Sequence, residues 1–453
     1  MDRHLNRRSM IKAGVGTAAA TAAVASKRSS VFAVPNIVKQ TGSTVEITYW
    51  GSYASTLGDT EQALVDAFNA SQTGVRVNRQ YQGSYEETAQ KLAAALGGGE
   101  VPDVTLLSEV NWFRFYLAQA LAPMDDFIAA TNYDTADVIE SLLVEGQRQG
   151  RQYWLPFARS TPLFYFNRDA FAEAGLDGPP RTWSEFAEIA PSLVDEGQQR
   201  SAFAHHTAAD YLAWYSQGMT WAFGGFYSEP DFNIRINEPP VVALGEYLRQ
   251  SVEAGWATNP DDVGEDFVNG LTAAMLDSTG GIKATIEEAK STGFEVGTAF
   301  LLEEEGFGCT TGGAGLSIMA AAPPERQEAA FQFITYCTST EVTSQWSQNT
   351  GYMPMRTSAV QSPAMQEFFA ANPNFKTAVD QLPLTRPQDA ARRLIPGGDL
   401  IIGAALERIT IGGEDPQQVL DAVAVELTEA AAPIVQQLQA LGETAPATPA
   451  AFF

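Results

Sequence analysis

Between residues 44 and 50 the chain alternates, with Val45, Ile47 and Tyr49 set against Thr44, Glu46 and Thr48. A period of two puts one set of side chains on a buried face, so this stretch predicts a strand. Leu64, Val65 and Phe68 follow at helical spacing and predict a helix over 59–70. A second strand is predicted over 75–81. Gly83 and Ser84 then open a helix over 85–96 that Gly97, Gly98 and Gly99 end, and a third strand covers 103–107. Strands and helices in strict alternation imply a parallel sheet with right-handed crossovers. In such sheets ligands sit beyond the carboxyl ends of the strands, which here means residues 49–53, 83–85 and 108–110.

An apolar-aromatic run at 153–157 predicts another strand. Arg159, Ser160 and Thr161 interrupt it, and residues 163–166 resume as strand. Asn167 and Arg168 lead into a short helix over 169–174 that Gly175 stops. Pro179 and Pro180 stiffen the next loop, and Thr182 caps a helix starting near Trp183, with Glu185 in its first turn. The chain here leaves one folded unit, crosses a polar gap and enters another. The pattern is mostly helical over 185–256, with aromatic residues crowded between Tyr211 and Phe226. Gly312, Gly313, Ala314 and Gly315 precede an apolar run at 316–322, and helices are predicted over 324–337, 341–348 and most of 361–441. Residues 34–43 read as a linker and 445–453 as a low-complexity tail.

The chain has 453 residues, enough for two or three domains with substantial cores. Acids outnumber bases by 54 to 28, a formal charge of −26. The first 33 residues hold six of the bases and one acid, so the remainder carries −31. A surface of that sign repels nucleic acid and anionic membranes and argues against both as partners. Arg7 and Arg8 stand ahead of an apolar run at 13–25, the pattern of a twin-arginine export signal. The run is much shorter than the roughly 20 residues of a membrane span. Cleavage after Ala33 also removes Lys27 and Arg28. No cysteine lies near that site, so no lipid anchor is expected, and the mature protein is expected free outside the cytoplasmic membrane. Cys309 and Cys337 either pair or remain two buried thiols. Adjacent His205 and His206 lack the spacing of a metal site, and neither metal nor cofactor is expected.

The stretch 151–186, RQYWLPFARSTPLFYFNRDAFAEAGLDGPPRTWSEF, resembles the first interdomain crossing of the extracellular solute-binding proteins of the sugar-binding family, which deliver ligands to ABC importers. YQGSYEE followed by LLSEV resembles the glycerol-3-phosphate-binding members. TAAMLDSTG, the glycine cluster after Thr311, and NTGYMPMR resemble three further turns of the family. The resemblance covers about 44–441 and implies an α/β, two-lobed periplasmic-binding-protein fold (type II-like). Each lobe is then a mainly parallel sheet flanked by helices, with ligand in the cleft between them. Lobe 1 is expected to hold 44–158 and 316–348, lobe 2 to hold 159–315 and 349–441, with a signal peptide at 1–33 and a tail at 442–453. The implied ligand is a sugar, polyol or glycerophosphate, the implied partner an ABC permease, and a monomer is expected.

On that resemblance Tyr85 and Glu109 are ligand contacts. A carboxylate accepts two hydroxyl hydrogen bonds, and a tyrosine offers a ring face with a polar tip. Ser160 stands at the first crossing, Trp221 is the aromatic over the ligand, and Gly313 lets backbone approach it. Thr279, preferred over Ser278, offers a hydroxyl at a helix N-terminus, and Tyr352 contacts ligand from the last turn. One element departs from the glycerol-3-phosphate binders. Their late arginine meets phosphate, but here RRLIPGGDLII places Ile401 in that register and keeps Arg393 only at an earlier position. Arg159 is the candidate replacement charge. The rival reading is a secreted glycoside hydrolase using Glu109 with a second acid such as Asp277, although no G-x-S-x-G elbow is present.

Overall fold

The structure, a computed structural model, describes residues 43–443. The export signal, its cleavage site and residues 444–453 of the tail lie outside them. The strands are β1 (Val45–Gly51), β2 (Val75–Tyr81), β3 (Val104–Ser108), β4 (Gln147–Arg148), β5 (Arg151–Gln152), β6 (Leu155–Ser160), β7 (Pro162–Asn167), β8 (Phe203–Ala204), β9 (Ala257–Thr258), β10 (Ala274–Ser278), β11 (Val296–Ala299) and β12 (Gly312–Ile318). One sheet has the order β2-β1-β3-β12-β6 and the other β11-β7-β10-β8-β9, while β4 and β5 form a small hairpin. Helices flank each sheet, so the chain has the expected two-lobed α/β plan.

Strand direction is more mixed than the alternation of elements implies. Each five-stranded sheet has two parallel and two antiparallel pairings. The reason is connectivity. β7 and β12 arrive from the opposite lobe, and each runs antiparallel to both of its neighbours.

Local signals set most of the boundaries. In β1 the inward positions Ile47 and Tyr49 are buried, as the alternation requires. Ser84 caps the helix Tyr85–Gly98 by accepting from Glu87 N at 3.2 Å, while Glu87 accepts from Ser84 N at 2.7 Å. Thr182 and Glu185 form the same reciprocal pair at the start of Trp183–Leu193. The first helix, Ser55–Ser71, begins a turn before the expected residue 59. β8 and β9 escape the sequence pattern because two residues are too few to show a period.

The more telling difference lies at the first crossing. Arg159 and Ser160 belong to β6, whose six residues are all buried, so the polar gap shrinks to Thr161. Both residues pair with the glycine cluster, Gly312 opposite Ser160 and Gly313 opposite Arg159. A Cβ on Gly312 would stand 2.5 Å from the Trp214 ring, so a strand that pairs here must carry glycine.

The first lobe packs around Ile47, Phe68, Phe331, Phe333 and Trp346. In the second, Phe164, Trp183, Phe186 and Phe203 form an aromatic group on one side of the sheet, while Tyr165, Phe267 and Met275 belong to a separate cluster. Cys309 and Cys337 are both free and buried, and they lie in different clusters. No helix among the described residues is long and apolar enough to cross a membrane.

The last helix, Pro416–Ala440, packs on the second lobe, but the residues after it return to the first. Glu443 accepts hydrogen bonds from Tyr116 and Arg148, and the Leu441 carbonyl accepts from Gln149 at 3.2 Å. Tail residue Glu443 is thus a buried anchor. Arg148→Met leaves this carboxylate short of a charged partner and should lower stability by about 1–3 kcal/mol in urea unfolding. An unchanged midpoint would show that water replaces the arginine at no cost.

Candidate functional site

The carboxyl ends of β3, β6 and β10 converge on a cavity of about 290 Å³ between the two sheets. The first lobe contributes Tyr85 from a helix start, Ser108 at the end of β3, Glu109 just after it, Ser160 from β6 and Gly313 from β12. The opposite wall carries Asp210, Tyr211 and Trp214 from the helix Ala209–Ala222, and Asp277 and Ser278 from the end of β10. Tyr352, Arg392 and Asp399 come from the last third of the chain.

Five of the eight expected residues therefore line one cavity: Tyr85, Glu109, Ser160, Gly313 and Tyr352. Tyr53 ties two of them together. Its hydroxyl lies 2.6 Å from that of Tyr85, and its ring centroid is 6.0 Å from that of Tyr352. Tyr352 in turn stacks on Trp346. Burial raises the pKa of all three tyrosines, so they stay neutral hydrogen-bonding groups. Gly313 has φ +96°, and a Cβ there would meet the Ala158 carbonyl oxygen at 2.1 Å. Only glycine fits.

The other three expected residues do not line it. The Arg159 side chain has no exposure to water and is held by Glu145 at 2.5 Å. Thr279 is buried at the crossing, its N–H donating to Thr161 O at 3.2 Å, and its neighbour Ser278 faces the cavity instead. A shift of one residue at a strand end turns a side chain to the other face. Trp221 donates to Asp389 at 3.1 Å beneath the Arg386 guanidinium, 4.1 Å from its ring, while Trp214 takes the cavity wall. The two tryptophans are seven residues apart on one helix, so they share a face but lie about 10 Å apart along its axis. Helical periodicity cannot choose between them.

Sequence reasoning also missed Arg392. It lines the cavity, with Nη1 3.3 Å from Glu109 Oε1. The RRL run held it next to Arg393, but the ungapped register drew attention to Ile401. Among the described lining residues it is the cation, and Glu86, Glu109, Asp210, Asp277 and Asp399 are the acids that line the same cavity. Burial raises the Asp399 carboxyl. Asp277 accepts from the Tyr211 hydroxyl, and burial keeps nearby His206 neutral. The arrangement offers one guanidinium, several carboxylates and aromatic faces, a set that holds hydroxyls and mixed charge.

Asp389 anchors the start of the short helix that carries Arg392. It stands directly before the helix Ala390–Arg393, and its carboxyl accepts from Tyr227 N at 2.6 Å, Gln217 at 2.9 Å and Trp221. That contact is the structural task of Trp221.

Residues 63–377 match the family described as bacterial extracellular solute-binding protein. The sn-glycerol-3-phosphate-binding periplasmic protein UgpB of Yersinia pseudotuberculosis is 26% identical over 398 residues, which is 83% of this chain and 90% of that protein. The structure of UgpB from Mycobacterium tuberculosis in complex with glycerophosphocholine matches with a TM-score of 0.80 and 38% identity, over 85% of this chain and 98% of that one. The GacH receptor of Streptomyces glaucescens shares the fold, with a TM-score of 0.75 at 20% identity over 86% of this chain and 98% of that one.

Burial pushes the Asp389 carboxyl up to about 6. A carboxyl raised in the folded state stabilises below its unfolded pKa near 4, and that stability is lost as pH rises toward 6. Asp389→Asn cannot ionise. Its stability relative to the parent should therefore rise by about 2–3 kcal/mol between pH 4 and pH 7 in chemical denaturation. A flat difference would mean that the hydrogen bonds to Asp389 already offset its burial.

Proposed function

The chain belongs to the bacterial extracellular solute-binding proteins, and on that premise we propose that it is the extracytoplasmic binding component of an ABC importer for a zwitterionic glycerophosphodiester. The observation that carries this reading is Arg392 beside Glu109 in an otherwise carboxylate-rich cavity. A guanidinium suits a phosphodiester, whose single negative charge needs one cationic partner. Asp277 and Asp399 with the Trp214 face suit a cationic head group at the other end. A phosphate monoester with nearly two charges would meet five carboxylates against one cation. The glycerophosphocholine bound by the M. tuberculosis relative supports the same class.

In this reading Arg7 and Arg8 direct twin-arginine export, and the mature protein is an unanchored monomer. It closes on ligand by hinge motion, since ligand that binds the closed form more tightly shifts the population toward it. A permease then recognises the closed shape. No bond of the solute is broken. The aromatic and carboxylate lining favours one second reading, a neutral sugar held by hydroxyl contacts.

Calorimetric titration with glycerophosphocholine, glycerol-3-phosphate and maltose separates these readings. Glycerophosphocholine should bind best, and Arg392→Met should weaken it by about 10- to 100-fold, the worth of a charge-assisted hydrogen bond. Binding of maltose alone, unaffected by Arg392→Met, would replace the phosphodiester by a sugar. Product formed from any of the three would end the non-catalytic reading.

A further inference from the structure

Arg159 stands where the three connections between the sheets meet. It lies on β6, two residues before the first crossing at Thr161. Its guanidinium donates to Thr311 Oγ1 at 3.2 Å, and Thr311 is the last residue of the second crossing before β12. Its carbonyl accepts from Met353 N at 2.8 Å, on the third passage between lobes. Glu145 closes a triangle, accepting from Arg159 Nη2 at 2.5 Å and from Thr311 Oγ1 at 2.5 Å. All three side chains are buried.

Thr311 faces both ways. Its hydroxyl belongs to this triangle, on the side of the first sheet. Its carbonyl accepts from Trp214 Nε1 at 3.1 Å and from Gln388 Nε2, two groups of the second lobe. Gln388 also bonds Glu109 and Arg392. Arg159 Nη1 has no hydrogen bond and lies 3.9 Å from Glu109 Oε2. The Glu109 carboxylate thus sits between a cavity cation on one side and the buried hub on the other.

We propose that Arg159, Glu145 and Thr311 form the pivot of lobe closure and couple it to occupancy of the cavity. The inference rests on the binding-protein reading above. Arg159 acts as a positioning residue. A ligand that engages Arg392 withdraws charge from Glu109, and the carboxylate is then free to turn toward Arg159 Nη1. Thr311 carries that change to Trp214 and Gln388 across the crossing. Without the Thr311 hydroxyl, the second crossing loses its hold on Glu145 and Arg159, and the lobes sample a wider range of angles.

The test uses full-length mature protein with spin labels at Asp66→Cys and Glu287→Cys, one exposed position in each lobe. Thr311→Val keeps side-chain volume and deletes both hydroxyl contacts, and Thr311→Ser restores them. In ligand-free protein the interlabel distance distribution should broaden in Thr311→Val and return in Thr311→Ser. Glycerophosphocholine should bind Thr311→Val about tenfold more weakly, through faster dissociation. A distribution identical to the parent's overturns the pivot, whether or not the melting temperature falls. Glu145→Gln, which weakens the same triangle, must broaden the distribution too, and failure of either variant to do so rejects the proposal. If the parent binds no glycerophosphocholine, the ligand assignment fails, while the ligand-free distances still decide the pivot.

Discussion

A guanidinium shut away from water must be neutralised where it lies, because moving such an ion out of solvent costs several kcal/mol. Arg159 has no exposed surface, and the elements around it are arranged to meet that demand. Glu145 supplies the charge, Thr311 a hydroxyl, and the Trp154 ring a face 5.0 Å from the guanidinium. The strand opposite is glycine at 313, where any side chain would strike the backbone of β6. Ordered burial of one charge thus fixes the spacing of two crossings and of the cavity floor between them.

The same logic explains what the chain disclosed beforehand. Periodicity and caps showed the elements clearly where they were long, as at Val45–Gly51, Tyr85–Gly98 and Trp183–Leu193. Family motifs led to Tyr85, Glu109, Ser160, Gly313 and Tyr352, each at a turn or strand end whose local sequence carries its own signature. What stayed hidden depended on three-dimensional partners. Arg159 reads as a polar gap residue until Glu145, fourteen positions earlier, is seen beside it. Arg392 reads as half of an arginine pair until Glu109, 283 positions away, is placed against it. Trp214 and Trp221 share a helix face, and only tertiary packing sends one to the cavity wall and the other to Asp389. Pairing and depth are tertiary facts, and no local pattern carries them.

Charge acts on two scales here. The whole chain carries −26, a field that discourages anions at long range. A net-neutral zwitterion feels little of that field and meets sorted charges only inside, where a low dielectric makes one guanidinium count. Under the proposed reading, acidity outside and the Arg392 cation inside are two filters acting in sequence.

The place of β12 in its sheet has a consequence for the order of synthesis. β6 pairs in the first sheet with β12 alone, and about 150 residues separate them in the chain. At roughly 5–20 residues per second, the ribosome needs about 8–30 s to deliver that partner. Through that interval Leu155 and Phe157 lack the sheet that will cover them, and Glu443 arrives later still to fasten the last helix. The first lobe begins early and closes late, so β6 waits unpaired in its sheet until about two thirds of the chain has been made.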